Sequence, residues 1–368
     1  MAMAQEIGGK YEPRNTGARD VYKDEEPQLR EDIAEMMLVG FRGTELNGFH
    51  HIVRDVVKYH IGGVILFEYD SGKGSHGRNI VSPKQLKKLC SDLQQLAEGD
   101  LLIGIDQEGG KVCRLKPKAG FERVISAEAM GKGGVDTVRK YAAITGKMMK
   151  NMGINLNFAP CVDVNINPEC PVIGKLGRSF SKDASEVGDF AFQWIEVMRE
   201  YGVISCAKHF PGHGSSSKDS HNGLVDVTNT WKEEELEPYR MLAKKLDMVM
   251  TTHVINGKID AEYPATLSAA TMEMLRNEIG FNGVVITDDM GMKAITDEYG
   301  YEDAIKLALQ AGVDMLCLGN NLIEYNDNIV PETMELIIEM VNRGEISRDR
   351  IHESAERIRA MKEKYLKK

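Results

Sequence analysis

The chain has 368 residues, of which 42% are hydrophobic and 28% are charged, a composition typical of a globular protein with a large core. Aspartate and glutamate outnumber lysine and arginine by 56 to 46, which argues against nucleic acid or an anionic membrane as the main partner. No run of about 18 apolar residues is present, which excludes a membrane-spanning helix.

The beginning of the chain and its cysteines indicate where such a protein would reside. Residues 1–26 are polar and rich in charge, glycine and proline, which predicts an N-terminal arm. This stretch lacks the apolar segment of a secretory signal, and the six cysteines are scattered without a CxxC pair. We therefore expect a cytoplasmic protein without disulfides, in which residues 27–368 form one domain.

From residue 27 onward, short apolar runs alternate with amphipathic stretches. The runs are continuously apolar, as expected for parallel strands that are buried on both faces. The eight predicted strands are Met36–Phe41, Gly63–Phe67, Leu101–Asp106, Asn155–Ala159, Ile204–His209, Met248–His253, Val284–Asp288 and Met315–Leu318. The predicted helices are Ser82–Ala97, Ala127–Asn151, Ser185–Tyr201, Trp231–Leu246, Ser268–Glu278 and Glu302–Ala311, followed by closing helices near Glu332–Asn342 and Arg350–Lys364. This alternation predicts an α/β fold of the (β/α)8 barrel type.

Polar residues end four of the predicted strands: Asp106, the pair Lys208 and His209, His253 and Asp288. A barrel places its active site at the carboxyl ends of its strands, so these residues are candidates for chemistry. A doubly wound sheet would place them similarly, so their positions support the barrel without establishing it.

The segment Lys208–His221, KHFPGHGSSSKDSH, contains three of the nine histidines. Pro211 and two glycines predict a loop, which the serines Ser215–Ser217 would make mobile. Asp219 and His221 are two residues apart, so in an extended segment both side chains project to the same side. A carboxylate beside an imidazole favours general acid–base chemistry, although an isolated Asp-x-His pair is more often a solvated hydrogen bond.

Other strand ends allow a structural and a functional interpretation. In VITDDMGM, Asp288 is a candidate carboxylate nucleophile, whereas Asp289 is a candidate cap of the next helix. In IDQEGG, Asp106 could bind two sugar hydroxyls or cap a turn. In GRSF, Arg178 is either a substrate donor or a surface arginine.

Taken together, these motifs resemble glycoside hydrolase family 3, and in particular its single-domain β-N-acetylglucosaminidases. The resemblance rests on KHFPGHG followed by DSH, on IDQEGG, GRSF, THV and PATLS, and on GFNGVVITDDMGM. It extends from about Asp32 to the end of the Met315–Leu318 run. The DSH element is the specific part, because family members acting on glucosides generally lack it.

The resemblance implies a role for each matching residue. Asp288 would be the nucleophile, and His221 the general acid/base oriented by Asp219. The sugar would be bound by four further residues: Asp106, Arg178, Lys208 and His209. The implied reaction is exo-acting, retaining hydrolysis of terminal β-linked N-acetylglucosamine from peptidoglycan fragments or chito-oligosaccharides, without a cofactor or metal.

Two features depart from the family pattern. An insertion, SGKGSHG at residues 71–77, separates the LFEYD strand end from Arg78–Asn79, and we expect it to lie beside the active face. Lys111 stands where the family often has arginine. The insertion leaves the preferred leaving group open.

Three alternatives remain at this stage. A β-N-acetylglucosaminide phosphorylase would use the same residues. A metal-dependent hydrolase would use a cluster of His209, His213, Asp219 and His221, although Pro211 prevents a helix from aligning the first two. A non-catalytic sugar-binding barrel would be expected to lack Asp288 or His221, and both are present.

Overall fold

The computed structural model describes residues 26–220, 223–322 and 324–366. Eight parallel strands form one sheet in which each strand from β1 to β6 pairs with the next, and β8 pairs with β1, so that β7 and β8 are the edge strands. A single bridge between Ile286 and Met315 joins the two edges and nearly closes the barrel. The strands are β1 (Met37–Gly40), β2 (Gly63–Ile65), β3 (Leu102–Ile105), β4 (Leu156–Asn157), β5 (Ile204–Phe210), β6 (Met248–Thr251), β7 (Val284–Ile286) and β8 (Leu316–Leu318).

The predicted (β/α)8 barrel is confirmed, and every predicted strand is present. All residues of the eight strands are buried, as expected when helices cover a parallel sheet. Most strands are shorter than predicted. For example, the third ends at Ile105 rather than Asp106, because the polar residue leaves the ladder to face the carboxyl end of the barrel.

The helices surround the sheet, with one or more between successive strands in most connections. In the described ranges they are α1 (Glu26–Glu35), α2 (His51–Val57), α3 (Pro83–Leu96), α4 (Ala127–Lys132), α5 (Val135–Met152), α6 (Ala184–Glu200), α7 (Glu237–Leu242), α8 (Ala269–Glu273), α9 (Lys293–Tyr299), α10 (Tyr301–Ala311), α11 (Ile329–Asn342) and α12 (Arg348–Leu366). None of the helices in this part of the chain is long and apolar enough to cross a membrane.

Three predicted helices differ from the structure. The predicted helix Ala127–Asn151 is two helices, because Gly134 has a φ of 75°, which a continuing helix does not allow. The predicted helix Trp231–Leu246 is a 3₁₀ turn, Glu233–Leu236, followed by α7. The C-terminal half of the predicted helix Ser268–Glu278 is a π-helical turn.

The amino-terminal end of the barrel is held together by a buried carboxylate. Asp314, just before β8, contacts Arg276 at 2.6 Å and Arg357 of α12 at 2.9 Å. The predicted closing helices α11 and α12 are thus confirmed, and α12 is tied to the sheet at the end opposite the polar strand ends.

Candidate active site

A cavity of about 520 Å³ opens at the carboxyl ends of the strands. Six of the seven residues predicted to act on a sugar line it: Asp106, Arg178, Lys208, His209, Asp219 and Asp288. The seventh, His221, lies outside the described residues. The barrel therefore gathers side chains that are up to 182 positions apart in the sequence (288 − 106).

One wall of the cavity is a network of buried charges. Arg178 donates from Nε and Nη2 to both oxygens of Glu108, at 2.8 and 2.7 Å. Lys208 Nζ lies 2.8 Å from Glu108 Oε1 and 2.7 Å from Asp106 Oδ1. Arg178 is 9% exposed, so it is not a surface arginine.

The network fixes the charge of its members. Burial alone would raise the pKa of Glu108, but Arg178 and Lys208 outweigh it and lower the pKa to about 2. The pKa of Asp106 is lowered in the same way. Burial alone would raise it, but Lys208 and Arg114 outweigh burial and hold the pKa well below its usual range. Burial would lower the pKa of Lys208, but its two carboxylates raise it. At neutral pH the wall is therefore a preformed set of ionised donors and acceptors suited to sugar hydroxyls.

Arg114 and Glu108 were not among the predicted sugar-binding residues. Arg114 Nη2 donates to Asp106 Oδ2 at 3.0 Å, and its side chain lines the cavity. The hairpin Gln107–Gly109 with Val112–Cys113 turns the chain back, so a residue eight positions after Asp106 returns to it. The glycine pair in IDQEGG was the available signal for this turn.

Asp163 is a third residue that the sequence did not reveal. It lies in the loop after β4, and its Oδ2 contacts His209 Nδ1 at 2.6 Å while its Oδ1 accepts from the backbone N–H of His213 at 2.7 Å. Burial would raise the pKa of Asp163, but His209 and His213 lower it. The ring of His209 is thereby oriented, with its Nε2 3.3 Å from Arg178 Nη2.

The two adjacent acids after β7 differ in their surroundings. Asp289 Oδ1 accepts from the backbone N–H groups of Gly291 and Gly319, at 2.9 and 3.2 Å. Asp289 does not cap α9, whose N-cap residue is Met292. Asp288 accepts from the N–H of Asp289 at 2.8 Å and lines the cavity. The carboxylate of Asp289 thus stabilises the turn that presents Asp288.

His253, at the end of the THV run, supports the same turn from beneath. Its ring is fully buried and contacts Thr266 Oγ1 at 2.8 Å and the carbonyl oxygen of Asp289 at 3.1 Å. Thr266 belongs to the PATLS motif, so the two motifs meet below the turn. His253 does not line the cavity.

The loop after β5 is more ordered at its beginning than its serines suggested. Ser215 and Ser216 are buried, and only Ser217 and Lys218 are exposed. Gly214 packs so closely on the carbonyl oxygen of Val164 that a Cβ atom would lie 1.8 Å from it. The prediction of a mobile serine run is therefore wrong for Ser215 and Ser216.

The insertion lies at the cavity, as predicted. Tyr69–Asp70 and Ser75–His76 pair as an antiparallel hairpin, and Tyr69 and Ser71 line the cavity. The buried carboxylate of Asp70 anchors the hairpin through Arg42 at 2.6 Å. The side chain of Asn321, in the loop after β8, bonds the backbone of Ser71 and Tyr69 at 2.9 and 3.2 Å.

The predicted metal cluster does not form among the described residues. His213 directs Nε2 to Ser220 Oγ at 3.0 Å rather than toward His209 and Asp219. In the described ranges, the one group of ligand-type atoms within 4.8 Å of one another is Cys161, Asp163 and His209. Burial raises the pKa of the Cys161 thiol, which donates to Asp163 at 3.2 Å, and a protonated thiol is a poor metal ligand. This geometry does not favour the metal-dependent alternative.

Comparisons with known proteins identify the family of the chain. The model of the Glycosyl hydrolase family 3 N terminal domain matches residues 28–361. The chain therefore belongs to glycoside hydrolase family 3, as its motifs predicted. It is a glycoside hydrolase by class, and that prediction is confirmed.

Similar proteins carry consistent names. The chain is 31% identical over 342 residues to the beta-hexosaminidase LpqI of Mycobacterium tuberculosis, covering 90% of this chain and 82% of the relative. It is 35% identical over 295 residues to a beta-hexosaminidase of Tolumonas auensis, covering 77% and 83%. A family 3 beta-N-acetylglucosaminidase from Paenibacillus superposes with a TM-score of 0.82 and 34% identity, covering 92% of this chain and 62% of that longer protein. These relatives favour neither the phosphorylase nor the metal-dependent alternative.

Proposed function

We propose that the protein is an exo-acting, retaining β-N-acetylglucosaminidase that releases terminal β-linked N-acetylglucosamine through a covalent glycosyl-enzyme. One observation carries the proposal: Asp288 and Asp219 line the same cavity as the charge network of Asp106, Lys208 and Arg178. A nucleophile, one member of an acid–base pair and a hydroxyl-binding wall thus meet at one place.

In the first step, a carboxylate oxygen of Asp288 forms a bond to the anomeric carbon. The bond from that carbon to the leaving oxygen breaks, and His221 donates a proton to this oxygen. In the second step, His221 takes a proton from water, whose oxygen attacks the anomeric carbon and frees Asp288. Asp219 orients His221 and favours its charged form before the first step.

The ionised wall supports binding of the sugar in one orientation. Asp106 accepts from hydroxyl groups, while Arg178, Lys208 and Arg114 donate to ring substituents. Because these cations keep Asp106 and Glu108 ionised, the wall needs no proton uptake when a neutral sugar enters.

The natural substrates we propose are peptidoglycan fragments or chito-oligosaccharides, which both carry a terminal β-N-acetylglucosamine. Release of this sugar from wall fragments would place the protein in peptidoglycan recycling in the cytoplasm. We also propose that residues 27–368 form the catalytic domain, which the family match over residues 28–361 supports. The predicted arm, residues 1–26, lies outside the described residues except for Glu26, which begins α1.

Two variants test the assignment. Asp288→Ala should be inactive on every substrate because no covalent intermediate can form. His221→Ala should retain the glycosylation step with aryl glycosides whose good leaving groups need little protonation, and its kcat/KM should fall by about 10²- to 10⁴-fold on oligosaccharides. Release of p-nitrophenol from the β-N-acetylglucosaminide and the β-glucoside, with EDTA throughout, measures both. Full activity of Asp288→Ala, or loss of wild-type activity in EDTA, would contradict the proposal.

A further inference from the structure

His213 is a buried side chain for which the proposed mechanism has no role. It follows β5 in the KHFPGHG motif, is 3% exposed and does not line the cavity. Its Nε2 lies 3.0 Å from the hydroxyl of Ser220, which is also buried. Its Nδ1 has no hydrogen-bond partner among the described residues. Among the described residues, the hydrogen bond to Ser220 is therefore the one polar contact of this ring.

The backbone of His213 is rigidly held on the side of the sugar-binding wall. Asp163 accepts from its N–H at 2.7 Å and contacts the ring of His209 at 2.6 Å. The next residue, Gly214, donates to the buried carboxylate of Glu235 at 3.1 Å. The rings of His209 and His213 also meet edge to face, with centroids 6.0 Å apart. The backbone and ring of His213 are thus held by contacts with the barrel and its loops.

Ser220 is the residue between Asp219 and His221 in the chain. Between the fixed His213 and this position lie Ser217 and Lys218, which are exposed and would allow the segment to move. A hydrogen bond from His213 to Ser220 restrains the backbone at the centre of the Asp219–Ser220–His221 tripeptide.

We propose that His213 is a positioning residue that, through Ser220, holds Asp219, the proposed partner of the acid/base, in register with the sugar-binding wall. This inference rests on the proposed function. The path of contacts runs from Arg178 through His209 and Asp163 to His213 and Ser220.

The imidazole acts here as a neutral hydrogen-bonding group. Burial, with the nearby Arg178 and His209, lowers the pKa of His213 to about 4, although Asp163 opposes this. A neutral amide placed at the same point can therefore replace part of its function. Glutamine carries its amide at about the position of Nε2, whereas leucine has no polar group.

The test compares leaving groups of graded acidity on a series of aryl β-N-acetylglucosaminides. For His213→Leu and Ser220→Ala we expect kcat/KM to fall by about 10- to 100-fold for the least acidic phenols and by less than about 3-fold for dinitrophenol, because only poor leaving groups need the proton. His213→Gln should recover part of the loss. Ser217→Ala, an exposed serine in the same loop, is the matched control and should behave as the wild type. Thermal unfolding of each variant checks that it is folded.

His221→Ala distinguishes a failure of the proposed function from a failure of the positioning role. If His221→Ala itself shows no dependence on the leaving group, the proposed acid–base assignment fails. If it does and the variants of His213 and Ser220 lose the same factor on every substrate, or lose nothing, the positioning role is overturned. In the double variant His213→Leu/His221→Ala, the first substitution should add no further dependence on the leaving group.

Discussion

The carboxylate of Glu108 stays ionised in a buried position because two cations contact it. Arg178 binds both of its oxygens, and Lys208 contacts one of them at 2.8 Å. Neutralising the acid would leave two buried cations with one fewer partner. Removal of one member of a buried ion pair typically costs about 3–5 kcal/mol.

We therefore expect Glu108→Gln to lower the free energy of unfolding by about 3 kcal/mol. Urea denaturation of both proteins measures the difference. Glu128→Gln is the control, because Glu128 pairs with Lys132 on the exposed surface, where such a pair contributes about 0–1 kcal/mol. Equal losses in the two variants would show that the wall is not held by this ion pair.

At the scale of single residues, the sequence predicted side chains at strand ends better than their partners. Asp106 and Asp288 directly follow apolar runs, so periodicity alone identified their positions. Asp163 and Arg114 lie in connecting segments, where the pairing is set by how the loops cross over the barrel. No local pattern encodes that pairing.

Among the elements, the hairpin that contains residues 71–77 is the part of the cavity mouth that departs from the family pattern. Tyr69 is 39% exposed, and its ring packs edge to face on His76 with centroids 5.2 Å apart. The backbone of Tyr69 is bound separately by Asn321, so the side chain can be removed without releasing the hairpin. The ring is therefore available to a leaving group that extends beyond the first sugar.

We expect Tyr69→Ala to raise KM for an N-acetylglucosamine oligosaccharide by about 5-fold, the equivalent of about 1 kcal/mol for one aromatic contact. Competitive inhibition by free N-acetylglucosamine should not change, because Tyr69 is not among the residues proposed to bind this sugar. Phe49→Ala, at an exposed aromatic residue that does not line the cavity, is the control. A similar change in both constants would place Tyr69 at the sugar rather than at the leaving group.

Element boundaries also show what the sequence could and could not predict. Ser82 was predicted to begin a helix, and it is the N-cap of α3, where its side chain accepts from the N–H of Gln85. The sequence did not predict the break between α4 and α5. The hydrophobic pattern continues across Gly133–Gly134, whereas the helical conformation of the backbone stops there. Periodicity thus predicts which face is buried but not whether a helix runs unbroken.

For the molecule as a whole, Glu235 makes stability depend on pH. Its carboxyl is 1% exposed and accepts from the N–H groups of Gly214 and Lys232, at 3.1 and 3.3 Å. Burial outweighs these bonds and raises its pKa to about 7. Between about pH 4.5 and 7 the folded protein binds more protons at this site than the unfolded chain, so stability falls as pH rises.

Glu235→Gln should remove this contribution, which is about 3 kcal/mol over the whole interval. Urea unfolding between pH 5 and 8 should give a shallower decline for the variant than for the wild type. Asp55, whose pKa burial raises to about 6, titrates in both proteins and cancels in the comparison. Identical slopes would mean that Glu235 is ionised in the folded protein throughout this range.

The barrel fold was the feature that the sequence predicted best. Eight buried runs separated by helical patterns leave few other arrangements, and parallel strands bring all their carboxyl ends to one face. The loop after β5 was less predictable, because burial of Ser215 and Ser216 depends on contacts with the loop after β4.

If Asp288 is the nucleophile, it forms a covalent bond to the sugar, and that intermediate can be trapped. In His221→Ala, an aryl glycoside with a good leaving group should glycosylate the enzyme, while the second step, which needs the base, slows. Mass spectrometry should then show one N-acetylhexosamine per chain, located by peptide mapping on Asp288. Asp288→Ala should carry none. An adduct on another residue, or turnover by His221→Ala/Asp288→Ala equal to that of His221→Ala, would contradict the account.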